Sequence, residues 1–72
     1  MIISNKLIWN VVDGITTATF NENYKLQVKQ TGKAEFTYSI LEYDTDKLVD
    51  RGIAISANSA KNRSEFQLQS YL

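Results

Sequence analysis

Aspartates supply the one spacing in this chain that resembles a metal-binding constellation. Asp44-Thr45-Asp46 with Asp50 has the rhythm of an acidic calcium loop. It lacks the central glycine and the terminal glutamate that complete an EF-hand loop. A carboxylate pair can also do acid–base work on a glycosidic bond, but these three crowd one turn, where turn chemistry and solubility already account for them. The chain has no His and no Cys. That removes the commonest general base and the thiol nucleophile. It also excludes disulfides and nearly excludes a structural zinc. No Ser or Thr sits in a nucleophile-elbow pattern. The expectation is a protein that is not an enzyme, with no catalytic residue, metal ligand or cofactor.

What remains is surface. Lys25, Gln27 and Lys29 alternate with Tyr24, Leu26 and Val28, the period-two pattern of a strand with one polar face. Thr17, Thr19, Glu35, Thr37 and Ser39 belong to the same face, with Leu41 and Tyr43 at one end. Such a surface can lie along a phosphate backbone, or it can be an ordinary solvated sheet face that needs Thr, Lys and Gln for solubility. Charge weighs against the first: eight Lys plus Arg balance eight Asp plus Glu, whereas nucleic-acid binders usually carry a basic excess. At 100° of helical rotation per residue, Phe66 falls about opposite the stripe of Ala57, Ala60, Ser64 and Leu68. A large aromatic there is either an isolated exposed residue or part of a contact surface, with Tyr71 or Leu72 beside it. No proline guards any strand, so a free sheet edge is open to a further strand.

These features predict a protein-interaction module whose partner is another protein or a second copy of itself, as a homodimer. The alternative is a nucleic-acid-binding domain using Lys25 and Lys29. Self-association suits the size: the 72 residues make one domain, residues 1–72, and a chain this short buries only about 60% of its unfolded surface. Oligomerisation is one of the few supports left once disulfides and metals are gone. No apolar run has the length of a membrane span, and Met1 to Trp9 is too short and too weakly apolar for a signal peptide. The expected location is cytoplasmic, with no membrane partner.

The elements that position these residues follow from the turn signals. Asp13-Gly14 is a strong hairpin signal, because a type I′ turn needs positive φ at both central positions. Asn21-Glu22-Asn23, Gln30-Thr31-Gly32-Lys33 and Asp44 to Lys47 mark three further turns. Strands are expected at about 6–12, 15–21, 24–30, 34–43 and 48–55. Phe36, Tyr38 and Ile40 alternate cleanly, after which Leu41 and Tyr43 fall on the polar side, which a bulge or sharp twist near Leu41 reconciles. Gly52 marks a bulge or a close backbone approach in the last strand. Ser56 is a good N-cap, with Asn58 as the alternative. Ala57, Ala60, Ser64, Leu68 and Tyr71 then form one stripe of a helix over about 57–71. The predicted fold is α+β: a four- or five-stranded antiparallel β-meander with one C-terminal α-helix packed on one face, in two layers. Its expected core is Trp9, Phe20, Leu26, Val28, Phe36, Tyr38, Ile40, Val49, Ile53, Ala60 and Leu68.

From Phe36 onward the pattern resembles small bacterial and phage domains built as β-strands followed by a helix. Phe36-Thr37-Tyr38-Ser39-Ile40, Asp46-Lys47-Leu48-Val49, Gly52, and Ser56 to Ala60 carry the resemblance, which covers about half the chain and implies a fold without an activity. Three-stranded-sheet DNA-binding domains, like those of plant transcription factors or the arm-binding domains of phage integrases, share the order of elements. Those domains place several Arg and Trp residues on the outer sheet face, where this chain has only Arg51 and Arg63 in all.

Overall fold

The computed structural model describes residues 7–72. Five strands form one antiparallel sheet in the order β1-β2-β3-β4-β5. They are β1 (Asn10–Val12), β2 (Ile15–Phe20), β3 (Tyr24–Gly32), β4 (Glu35–Glu42) and β5 (Leu48–Ala54). Each strand pairs with its predecessor, so the topology is a meander. Helix α1 (Ala57–Leu68) follows, then a 3-10 turn at Gln69–Tyr71. The architecture is the two-layer α+β arrangement that the turn signals predict.

Local backbone chemistry explains the turns. Asp13 and Gly14 have φ of 53° and 78°, the pair of positive values a type I′ turn demands. Asn21 and Glu22 repeat this at 49° and 57°, and the Asn23 amide closes the turn on the Phe20 carbonyl at 2.9 Å. In the fourth turn the Asp46 amide donates to the Glu42 carbonyl and the Glu42 amide to the Lys47 carbonyl, both at 2.9 Å. Asp46 takes φ of 56° there, a position that short polar side chains tolerate.

The third turn comes later than the sequence signal suggests. β3 continues through Thr31 to Gly32, with a register shift between Gln30 and Gly32. The cause is Thr31, whose hydroxyl meets Glu35 Oε2 at 2.8 Å and Thr37 Oγ1 at 2.9 Å. Those contacts hold the extra residue against β4, and the chain reverses at Lys33 and Ala34.

One sheet face packs on the helix. Leu26, Ile40 and Leu68 form one buried cluster, and Val28, Ala54 and Ala60 a second. Ser56 caps α1: its hydroxyl accepts the Ser59 amide at 3.1 Å. Ala60, Ser64 and Leu68 are the buried helix positions, and the small side chains of the first two bring the helix close to the sheet. The buried Ser64 hydroxyl is satisfied by the Lys61 carbonyl at 2.8 Å, so the polar atom carries no unpaired desolvation cost.

Several expectations are corrected. The first strand is three residues, Asn10–Val12, rather than a strand reaching back to residue 6, which lies outside the described residues. Trp9 leaves the sheet instead: its indole N–H donates to Glu65 Oε2 at 2.8 Å, and Lys61 Nζ stands 5.9 Å from the ring centroid. Packing on the helix thus replaces strand pairing. The α-helix stops at Leu68 and tightens into a 3-10 turn. Ile53 is 54% exposed and so is not core. The reason is a bulge in β5: Leu41 pairs with Leu48 and Ile40 with Asp50, which leaves Val49 as the extra residue. Val49 packs against the core, and every later β5 residue changes face. Asp50, Gly52 and Ala54 pair with the inward-facing Ile40, Tyr38 and Phe36; Arg51 and Ile53 pair with Ser39 and Thr37 on the outer face. The register shift lies between Ile40 and Leu41, but the alternation of β4 does not invert. Leu41 faces outward between Lys25 and Leu48.

Candidate interaction surfaces

The residues singled out from sequence fall in three places. Lys25, Gln27, Lys29 and Leu41 share the outer sheet face, as the strand registers show: Thr19, Lys25, Leu41 and Leu48 form one cross-strand row, and Thr17, Gln27, Ser39 and Arg51 the next. Tyr43 lies beyond β4 in the fourth turn, its amide bonded to the Asn23 carbonyl at 3.0 Å. Phe66 is on the helix, in the other layer.

On the outer face the lysines are not equivalent. Lys25 is paired with Asp46. Its ammonium is therefore partly neutralised, and its side chain is only 23% exposed. Lys29 is exposed, and the bulge in β5 adds Arg51 to this face. The helix packs on the opposite side, against β3, β4 and β5, and no described residue covers the outer face.

The aspartates separate on folding. Asp46 faces Lys25, whereas Asp50 accepts the Tyr71 hydroxyl at 3.1 Å and the Arg51 amide at 2.8 Å. Among the described residues, no group of three or more His, Cys, Asp or Glu is arranged to hold a metal ion. The hydrogen bond to Asp50, some burial and the Asp50 charge together hold the Tyr71 phenol above its ordinary pKa. Tyr43 instead joins Glu22, Tyr24, Glu42, Asp44 and Tyr71 around an open cleft of 440 Å³.

The flank of β5 and α1 brings exposed apolar side chains to a free strand edge; the β1 edge exposes Val11 and Val12 as well. Phe66 is 72% exposed and shares a groove of 460 Å³ with Tyr38, Asn62, Arg63 and Gln67. Tyr38 reaches it because its ring extends over Gly52 of β5: a Cβ built on Gly52 would stand 2.3 Å from the Tyr38 hydroxyl oxygen. A second groove, of 300 Å³, adjoins the first through Arg63 and is lined by Glu35, Ile53, Ala54 and Ile55 among others. Ile55 is 80% exposed. Sequence periodicity missed Arg51, Ile53 and Ile55 as surface residues, because the extra residue at Val49 shifts their parity. The adjacent pairs Leu48-Val49 and Asp50-Arg51, which break the apolar–polar alternation, were the available signal.

The chain matches no protein family, no curated protein and no solved structure. No helix among the described residues is long and apolar enough to cross a membrane.

Proposed function

We propose that this chain is a non-enzymatic protein-interaction module that self-associates, acting through the flank formed by β5 and α1 and centred on Phe66. The observation that carries the reading is the exposed Phe66 beside Tyr38 in the helix layer, next to an edge strand whose Ile53 is exposed on the outer face and whose neighbour Ile55 is exposed too. A lone exposed apolar residue needs no explanation, but an aromatic grouped with others near a strand edge marks a contact surface. Its role as an accessory protein of a bacterium or phage, working in the cytoplasm, extends the resemblance of its second half to small domains from those sources.

Nucleic-acid binding through Lys25 and Lys29 is the weaker reading. Asp46 neutralises Lys25, and the chain as a whole has no basic excess. Phosphate neutralisation supplies most of the affinity in such binding.

Light scattering across a range of concentrations tests the proposal. The parent is expected to exceed the 8.2 kDa of one chain, Phe66→Ala to fall back toward it, and reversal of charge at Lys25 and Lys29 to have no effect. A parent that stays at one chain mass at high concentration defeats self-association. A shift of labelled DNA at low salt, lost on that charge reversal, favours the second reading.

A further inference from the structure

We infer that a second copy of this chain adds antiparallel to the free edge of β5, with the two-fold axis at Ile53, joining two sheets into one. This rests on the self-association reading above and specifies its geometry. The ladder fixes which groups are available. The Glu42 amide donates to the Lys47 carbonyl in β4–β5, and the Tyr43 amide to the Asn23 carbonyl on the β3 side. Even-numbered residues of β4 therefore turn their backbone groups to β5, since these alternate along an antiparallel strand. Their partners are Asp50, Gly52 and Ala54. Arg51 and Ile53 consequently point N–H and C=O to the free edge.

Asp50 supports that assignment independently. Its carboxylate accepts the Arg51 amide at 2.8 Å, a contact open to an amide that does not donate to β4. The side chain thus guards the first half of the edge, alongside the bulge at Val49, two devices that blunt edge pairing. Nothing comparable guards Ile53: its amide and carbonyl have no strand beside them among the described residues.

Symmetry then restricts the register. In an antiparallel joint, facing residues must lie on the same sheet face, so the two-fold passes through a residue and not between two. At Asp50 it sets carboxylate against carboxylate, and at Arg51 guanidinium against guanidinium; like charges directly opposite are destabilising. At Gly52 the two Arg51 side chains are diagonal neighbours. At Ile53 the pairs are Ile53 with Ile53, Gly52 with Ala54, and Arg51 with Ile55, each taken between copies. That register keeps the arginines apart, gathers the exposed isoleucines, and requires only that Asp50 release one amide. An axis at Ala54 also gathers the isoleucines, but it sets Gly52 against the cap residue Ser56 and Arg51 against Ala57, where α1 has begun, so the joint is shorter there. The helices then lie on the same side, with the Phe66–Tyr38 groove of each copy facing the joint. The occupant is a second copy because the edge is self-complementary in this register and the net charge is zero, which leaves no overall repulsion between copies.

Sedimentation equilibrium on the full chain and two variants tests this. Ile53→Lys changes only an outer-face side chain. Ile53→Pro removes an amide that β4 does not use, the setting in which an edge strand accepts proline. Circular dichroism checks that both stay folded. The expected result is a parent whose mass rises from 8.2 kDa toward twice that value, with both variants held at one chain mass. A nitroxide on Lys29→Cys, which shares the outer-face row of Thr37 and Ile53 but lies two strands from the joint, should report one distance of about 24 Å between copies, five strand spacings, at a concentration where the parent doubles. A parent that doubles while both variants double equally, lost only in Phe66→Ala, overturns the edge geometry and leaves the interaction reading standing. A parent that never doubles overturns both self-association and the edge dimer.

Discussion

The Tyr38 ring occupies the space that a side chain at residue 52 would take. A Cβ there would lie 2.3 Å from the hydroxyl oxygen, 2.4 Å from Cζ and 2.7 Å from Cε2 of Tyr38. The two residues are direct cross-strand partners, so the aromatic covers the backbone that glycine leaves bare, a device that offsets the weakness of glycine in a strand. Gly52→Ala must push the ring aside and should cost about 1–3 kcal/mol by overpacking. Tyr38→Ala removes the obstruction. The double variant should therefore lose less than the sum of the two singles, a coupling that urea denaturation of all four proteins would measure. Strict additivity would mean that the ring does not rest on Gly52.

Glu22 is held at φ 57°, a left-handed conformation that costs a side chain bearing a Cβ about 1–2 kcal/mol. It is exposed in the turn. Glu22→Gly converts the turn to Asn-Gly, the preferred type I′ pair. Part of the gain is returned as unfolded-state entropy, so a net stabilisation of about 0.5–1 kcal/mol is expected. In a domain of this size that raises Tm by several degrees, since about 1 kcal/mol corresponds to ~4–8 °C. An unchanged or lower Tm counts against the turn geometry.

How legible this fold was depended on the distance over which each determinant acts. The Asp13-Gly14 hairpin, the Ser56 cap and the alternation of Tyr24 to Val28 are fixed by neighbours in sequence, and the structure has each where the residues place it. Trp9 packs against the core as expected, but its place in the first strand and the inward place of Ile53 were misread for a shared reason. A tryptophan at the end of a strand can continue in the sheet or turn to the helix, and a partner 56 positions away in sequence decides it. Ile53 lost its inward place because of one extra residue, Val49, set by pairing with β4. Period-two reasoning carries no memory of a bulge, so every position beyond it is assigned to the wrong face. That error concealed half of the candidate surface. Phe66 was legible because helical angles depend on local spacing alone.

Tyr71 gives a pH signature. Its hydrogen bond to Asp50, with partial desolvation and the Asp50 charge, raises the phenol pKa in the folded chain. The folded state therefore holds this proton more tightly than the unfolded state, whose tyrosines titrate near about 10. Stability from the contact is complete below that value and is lost as pH rises through the folded pKa. In an ultraviolet titration of the folded protein, one of the four tyrosines should ionise after an unperturbed tyrosine would. Asp50→Asn removes the charge and should bring it back toward the ordinary range. A titration of the parent identical to that of Asp50→Asn would show that the bond does not persist in solution.

Helix α1 is tied at its start by Ser56 and has no acidic residue in its first turn and no basic residue in its last. Its stability in isolation is therefore poor, and the cap matters more than usual. Ser56→Ala removes the acceptor of the Ser59 amide, found at 3.1 Å, and should cost about 1 kcal/mol. Ser59 sits at the third helical position, where a glutamate would reach back to the Ser56 amide and complete a capping box. Ser59→Glu also sets a negative charge against the helix N-terminus and four residues ahead of Arg63, a favourable ion-pair spacing. The gain should be about 0.5–1 kcal/mol at low salt and should shrink as salt screens the charges. Because much of it depends on Ser56, Ser59→Glu in the Ser56→Ala background should recover only the charge-dependent part. A gain of full size without Ser56 would assign the effect to electrostatics alone and remove the reciprocal cap from the account.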